Sequence, residues 1–121
     1  MSNLIETVKR YSKAFHTRDF ETIRNLLHKN YRFKGPLMKM NGTEELIAFM
    51  EDMPFEYEEK NVRYVQDGNV VVKIFDTVFS KPFKDTVPMC EVLVFEGNRI
   101  KKCELFYDTA PFPKGGMDKA V

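Results

Sequence analysis

The hydrophobic pattern turns from mainly helical to strand-like along this chain, and that change constrains the fold more than any other feature. Up to Met53 apolar residues recur at helical spacing; from Glu56 onward they alternate as strands do. Leu4, Val8, Tyr11 and Phe15 form a first stripe, with Glu6, Lys9, Arg10 and Lys13 on the far side, and predict an amphipathic helix. After His16-Thr17-Arg18-Asp19 the stripe resumes at Phe20, Ile23, Leu26 and Leu27. Asp19 or Thr17 is placed to cap this second helix of about three turns. Tyr31 to Lys34 alternates and stops at Gly35-Pro36, a short strand ended by a residue that cannot continue a ladder. Asn41-Gly42 signals a turn, and Thr43 caps a third helix. Glu44 and Glu45 lie at its positive first turn, with Leu46, Phe49, Met50 and Met53 on its buried face.

Four long strands then follow: 56–65, 70–79, 86–95 and 99–107. They turn at Asp67-Gly68-Asn69, around Lys81-Pro82-Phe83 and at Glu96-Gly97-Asn98. Helices followed by antiparallel strands predict an α+β fold, with the helices on one face of the sheet. The 121 residues suffice for one domain spanning 1–121 and leave too little for a second core. Its end, 109–121, is rich in Pro, Gly and charge and reads as a flexible C-terminal tail or lid.

Nineteen basic residues against eighteen acidic ones leave a charge of +1, so no nucleic acid and no anionic membrane surface is expected as a partner. No apolar run approaches the roughly 20 residues of a membrane span. The N-terminus lacks the basic and apolar regions of a signal peptide, which points to a cytoplasmic protein with Cys90 and Cys103 reduced. There is no Gly-rich phosphate loop, no Cys-x-x-Cys pair and no nucleophile elbow, and no cofactor is expected. His16 and His28 fall near helix ends, where charge suits the dipole, and two histidines without a nearby cysteine make no metal site. What remains is an excess of sixteen aromatics and six internal methionines, which either fill a core or wall a cavity for an apolar ligand.

Polar residues on apolar faces decide where to look. Tyr11 shares the stripe of Leu4, Val8 and Phe15, so its ring points inward and its hydroxyl needs a partner. In strand 86–95 the bulkier alternating set is Val87, Met89, Glu91, Leu93 and Phe95, which encloses a carboxyl group and favours its neutral form. In strand 70–79, Asp76 shares a face with Val70, Val72, Ile74 and Val78. Folding about Lys81 to Phe83 sets Ile74 opposite Glu91, with Asp76 a diagonal neighbour at about 7–8 Å. Two carboxyl groups in an apolar recess suit acid–base chemistry. Enclosure of the other sheet face, or a bulge that shifts the register, would instead leave both acids in solvent.

The order of elements, the segment Val8-Lys-Arg-Tyr-Ser-Lys-Ala-Phe-His-Thr-Arg-Asp-Phe20, the stop at Gly35-Pro36, Gly42-Thr-Glu-Glu-Leu-Ile-Ala-Phe49 and the closing Phe95-Glu-Gly-Asn-Arg-Ile-Lys-Lys-Cys-Glu-Leu-Phe-Tyr-Asp108 resemble the SnoaL-like and ketosteroid-isomerase-like proteins of the nuclear transport factor 2 superfamily. The resemblance implies a conical, cystatin-like α+β barrel: a strongly curved, mostly antiparallel sheet wraps three helices and leaves a pocket open at one end, often in a homodimer packed through the sheet. It places the isomerase's oxyanion-donating tyrosine at Tyr11 and its protonated carboxyl at Glu91. The family's general base falls at Gly35, which cannot abstract a proton.

One reading is therefore a small isomerase-, hydrolase- or lyase-type enzyme for an apolar, carbonyl-bearing or epoxide-like molecule, with Tyr11 and Glu91 donating and Asp76 as base. Another is a non-catalytic module that binds an apolar ligand or a partner side chain, and a third is a filled core in which Tyr11 and Glu91 bond each other. Phe15, Phe33, Phe49, Met89, Leu93, Cys103, Leu105 and Tyr107 are expected to line the pocket by resemblance, with Pro111 to Pro113 placed to cover its mouth. In the same reading Val71, Lys73, Phe75, Thr77 and Phe79 face outward, and the two exposed Phe predict a homodimer through the sheet face.

Overall fold

The computed structural model describes residues 3–112. The Asn3 side chain accepts a hydrogen bond from the Glu6 amide and starts α1 (Leu4–Thr17), which ends at Arg18 in the left-handed conformation. Asp19 caps α2 (Phe20–Leu26), accepting from the Thr22 amide and hydroxyl. The chain passes directly from α2 into β1 (Leu27–Lys34), so this strand is longer than the Tyr31–Lys34 alternation indicates. A three-residue strand, β2 (Lys39–Asn41), follows and pairs with β1. Helix α3 (Thr43–Asp52) starts as expected, but its cap position is Gly42 at φ 99°. There the turn is closed by Glu45, whose carboxylate accepts from the Asn41 amide.

Strands β3 (Glu56–Asp67), β4 (Val70–Lys81), β5 (Asp85–Glu96) and β6 (Arg99–Tyr107) complete a sheet of order β2-β1-β6-β5-β4-β3. All neighbours are antiparallel except β1 and β6. The fold is α+β, three helices on a curved, mostly antiparallel sheet. The sheet is not closed: its edges are β2 and β3.

Two apolar clusters fill the concave side. Leu4, Val8 and Tyr11 of α1, Ile23 of α2 and Leu46 and Met50 of α3 pack on Tyr31, Val71, Leu93, Ile100 and Cys103. Met53, Phe55, Phe75, Phe79, Val87, Met89 and Phe112 form the second cluster.

The structure corrects the facing of β4. Val71, Lys73, Phe75, Thr77 and Phe79 are buried, whereas Val70, Val72, Ile74, Asp76 and Val78 lie on the outer side. The hairpin register differs by one residue from the expected one: Lys73, not Ile74, stands opposite Glu91, and Asp76 stands opposite Pro88. The reason is the payload of each face. Phe75 and Phe79 join Met53, Phe55, Val87, Met89 and Phe112 in one buried cluster, an aromatic packing that the aliphatic set cannot supply. Lys73 and Thr77 are carried inside by the same alternation. The homodimer expectation thus loses its stated basis, since Phe75 and Phe79 are core residues. The outer face presents Val72, Ile74, Val92 and the more exposed Val65 and Phe106 instead.

Candidate acid–base site

Between the two clusters lies a cavity of about 120 Å³ whose walls are drawn from both. Of the residues expected to line it, Tyr11, Phe15, Phe33, Phe49, Met89, Glu91 and Leu105 do. Leu93 and Cys103 are fully buried in the core outside that wall, because the α1 stripe packs directly on them. Tyr107 stands instead against Phe112, ring centroids 5.0 Å apart. Of the tail, Phe112 is buried against Phe55, Phe79, Phe83 and Tyr107, and positions from Pro113 onward lie outside the described residues.

Asp76 does not reach the cavity. It lies on the outer face of β4, where Asn61 donates a hydrogen bond of 2.9 Å to its carboxylate, so it cannot be the base of a site inside. Gly35 brings no proton acceptor, and a Cβ there would stand 3.2 Å from the Phe33 ring.

In their place the fold assembles a charge cluster. Lys73 is 1% exposed and its ammonium donates three hydrogen bonds: to Ser12 Oγ at 2.8 Å and to Glu59 Oε1 and Oε2 at 2.8 and 2.9 Å. The same nitrogen sits 4.3 Å from the centre of the Phe75 ring, a cation–π contact. Glu59 faces inward because a bulge between Lys60 and Arg63, with Asn61 at φ 55°, keeps Tyr57 and Glu59 and then Val62 and Tyr64 on the inner side of β3. Ser12, Tyr57, Glu59, Lys73 and Thr77 all line the cavity. Only the greater bulk of the Phe75–Phe79 face signals this group in the sequence, and reading the aliphatic set inward hides it.

Glu91 is 8% exposed and lies directly opposite Lys73. All three Lys73 protons being committed elsewhere, no hydrogen bond reaches the Glu91 carboxyl group among the described residues. Burial pushes it up to about 7, the Lys73 charge opposing and the Glu59 charge adding to the rise. Tyr11 also borders the cavity, but its hydroxyl shares a 3.4 Å hydrogen bond with that of Tyr31. Burial holds both phenols well above their ordinary range, so both remain protonated donors. The site therefore combines one carboxyl group poised near neutrality with the Lys73–Glu59 ion pair, in walls that are otherwise mostly apolar. No group of three His, Cys, Asp or Glu side chains among the described residues could hold a metal ion. No helix among them is long and apolar enough to cross a membrane.

A helix-wrapping curved sheet with a side-chain-lined cavity defines a class, and residues 8–103 match the SnoaL-like domain. The chain belongs to that family. Solved structures agree on the fold. A nuclear transport factor 2-like protein of unknown function from Burkholderia pseudomallei superposes with a TM-score of 0.77 at 25% identity, covering 91% of this chain and 94% of that one. One from Cytophaga hutchinsonii gives 0.77 at 23%, covering 92% and 95%. An LEH-like epoxide hydrolase from M. tuberculosis gives 0.74 at 18%, covering 98% and 88%. Among curated proteins none matches this sequence significantly.

Proposed function

We propose that the cavity binds a small, largely apolar molecule carrying a carbonyl group, and that Glu91 moves a proton on it. One observation carries this reading: the Glu91 carboxyl is buried, free of hydrogen bonds among the described residues, and raised to about 7 beside a cavity it lines. An acid or base works best when its pKa lies near the working pH. As carboxylate, Glu91 takes the proton from the carbon next to the carbonyl, and the C–H electron pair forms the enolate. The Lys73 charge, held across the ladder, stabilises the negative oxygen, and Glu91 returns the proton to the same or a neighbouring carbon. A cavity of about 120 Å³ is close to the ~150 Å³ that holds benzene, which suits a ligand of about one ring. An epoxide is the second choice of substrate.

A binding module without catalysis has one observation in its favour, the tie between Tyr11 and Tyr31 that occupies the expected oxyanion donor. Deuterium exchange at the α-carbons of cyclohexanone separates the two. The wild-type protein is expected to accelerate exchange and Glu91→Gln to bind the ketone without accelerating it. Binding with equal exchange in both proteins supports the module instead.

A further inference from the structure

Thr77 lies on the inner face of β4, four residues beyond Lys73 and so ~13 Å along the strand from the Lys73–Glu91 pair. It is 4% exposed and lines the cavity. Its Oγ1 is fully enclosed and has no hydrogen-bond partner among the described residues. Glu59, directly across the β3–β4 ladder, turns its carboxylate to Lys73 and makes no hydrogen bond to Thr77. Buried hydroxyls are nearly always satisfied, and valine would fill the same space without the cost of an orphaned donor. Between Thr77 and Glu91 the wall is apolar: Phe75 of β4 pairs with Met89 of β5. On the β4–β5 side the cavity is thus apolar between Thr77 and Glu91, with the Lys73–Glu59 ion pair on its β3 side.

We propose that the Thr77 hydroxyl receives a second oxygen of the ligand, so that the substrates are single-ring molecules with oxygen functions at opposite ends. The proposal rests on the reading of Glu91 as the reacting end. With a hydrogen bond of about 2.8 Å from Thr77 at one end and from protonated Glu91 at the other, a six-membered ring oxygenated at positions 1 and 4 is of the size of the interval between the two strand positions.

The test compares cyclohexanone with 1,4-cyclohexanedione, their affinities measured at pH 6 by ligand-observed NMR on the wild type, Thr77→Val and Thr77→Ser. The dione is expected to bind about 5- to 10-fold more tightly to the wild type, beyond the twofold its symmetry supplies. Thr77→Val is expected to lose that advantage while binding cyclohexanone as before, and Thr77→Ser to keep it. A dione advantage unchanged in Thr77→Val, or absent from a wild type that still exchanges cyclohexanone through Glu91, overturns the role of Thr77 and leaves that of Glu91 standing. Failure of both ketones to bind overturns the Glu91 reading and this one with it.

Discussion

Lys73 and Glu91 face each other across the β4–β5 ladder, both inside the protein, yet the ammonium donates its hydrogen bonds to Ser12 and Glu59 and none to Glu91. Glu91 therefore feels the charge of Lys73 without being tied to it. That separation keeps a buried carboxyl group available to a ligand and near its midpoint at neutral pH.

The first consequence is a pH dependence of stability. The folded-state pKa of Glu91 is raised, so the folded protein binds more protons than the unfolded chain between about 4.5 and 7. Stability is full below that window and falls as pH rises through it, by about 3 kcal/mol for this group. Glu91→Gln, neutral at every pH, should flatten the fall. Chemical denaturation of both proteins at pH 5 and pH 8 measures it, and the variant should gain on the wild type at the higher pH.

The two neighbours of Glu91 should move its midpoint in opposite directions. Lys73→Met removes the charge that lowers it and shifts the pH–activity profile upward; Glu59→Gln removes one that raises it and shifts the profile downward. Lys73→Met also leaves Glu59 without its partner, at a cost of about 3 kcal/mol in urea unfolding. Adding Glu59→Gln to Lys73→Met should recover part of that loss.

Much of the fold is legible in the sequence because the apolar period differs so clearly before and after residue 54. The inner face of β5 is legible too, since Met89, Leu93 and Phe95 leave its other set without comparable bulk. Strand β4 is different: both of its alternating sets mix apolar and polar residues, and only the packing of Phe75 and Phe79 against Phe55, Phe112 and Tyr57 decides between them. One residue of register then exchanges Asp76 for Lys73 and Thr77 in the site. Strand β2 is too short to show a period, having Met40 as its single buried residue.

At the other end of the cavity, Phe55 and Phe79 are backed by Phe112 at ring distances of 6.2 and 5.5 Å. Phe112→Ala should lower stability by about 3 kcal/mol, the low end for loss of a buried phenylalanine. It should also free Phe55 and Phe79 to move outward, so that bicyclic ketones raise the melting temperature of the variant more than that of the wild type.

On the outer side of the sheet, Val65, Val72 and Val92 lie in register across three strands, and Cys90 pairs with Phe106, which is 54% exposed. We propose a second copy of the chain as the cover of this apolar stretch. Sedimentation velocity at micromolar concentration should show a dimer that Phe106→Glu converts to monomer; a wild-type monomer contradicts the pairing.

The state of Glu91 is measured most directly by carbon-13 NMR of its side-chain carboxyl across pH 3 to 10, assigned by the signal missing from Glu91→Gln. A midpoint near 7 that shifts when cyclohexanone fills the cavity is the expected result. A midpoint near 4.5 that is indifferent to the ketone would show a solvated carboxylate and contradict a proton-transferring group in an apolar cavity.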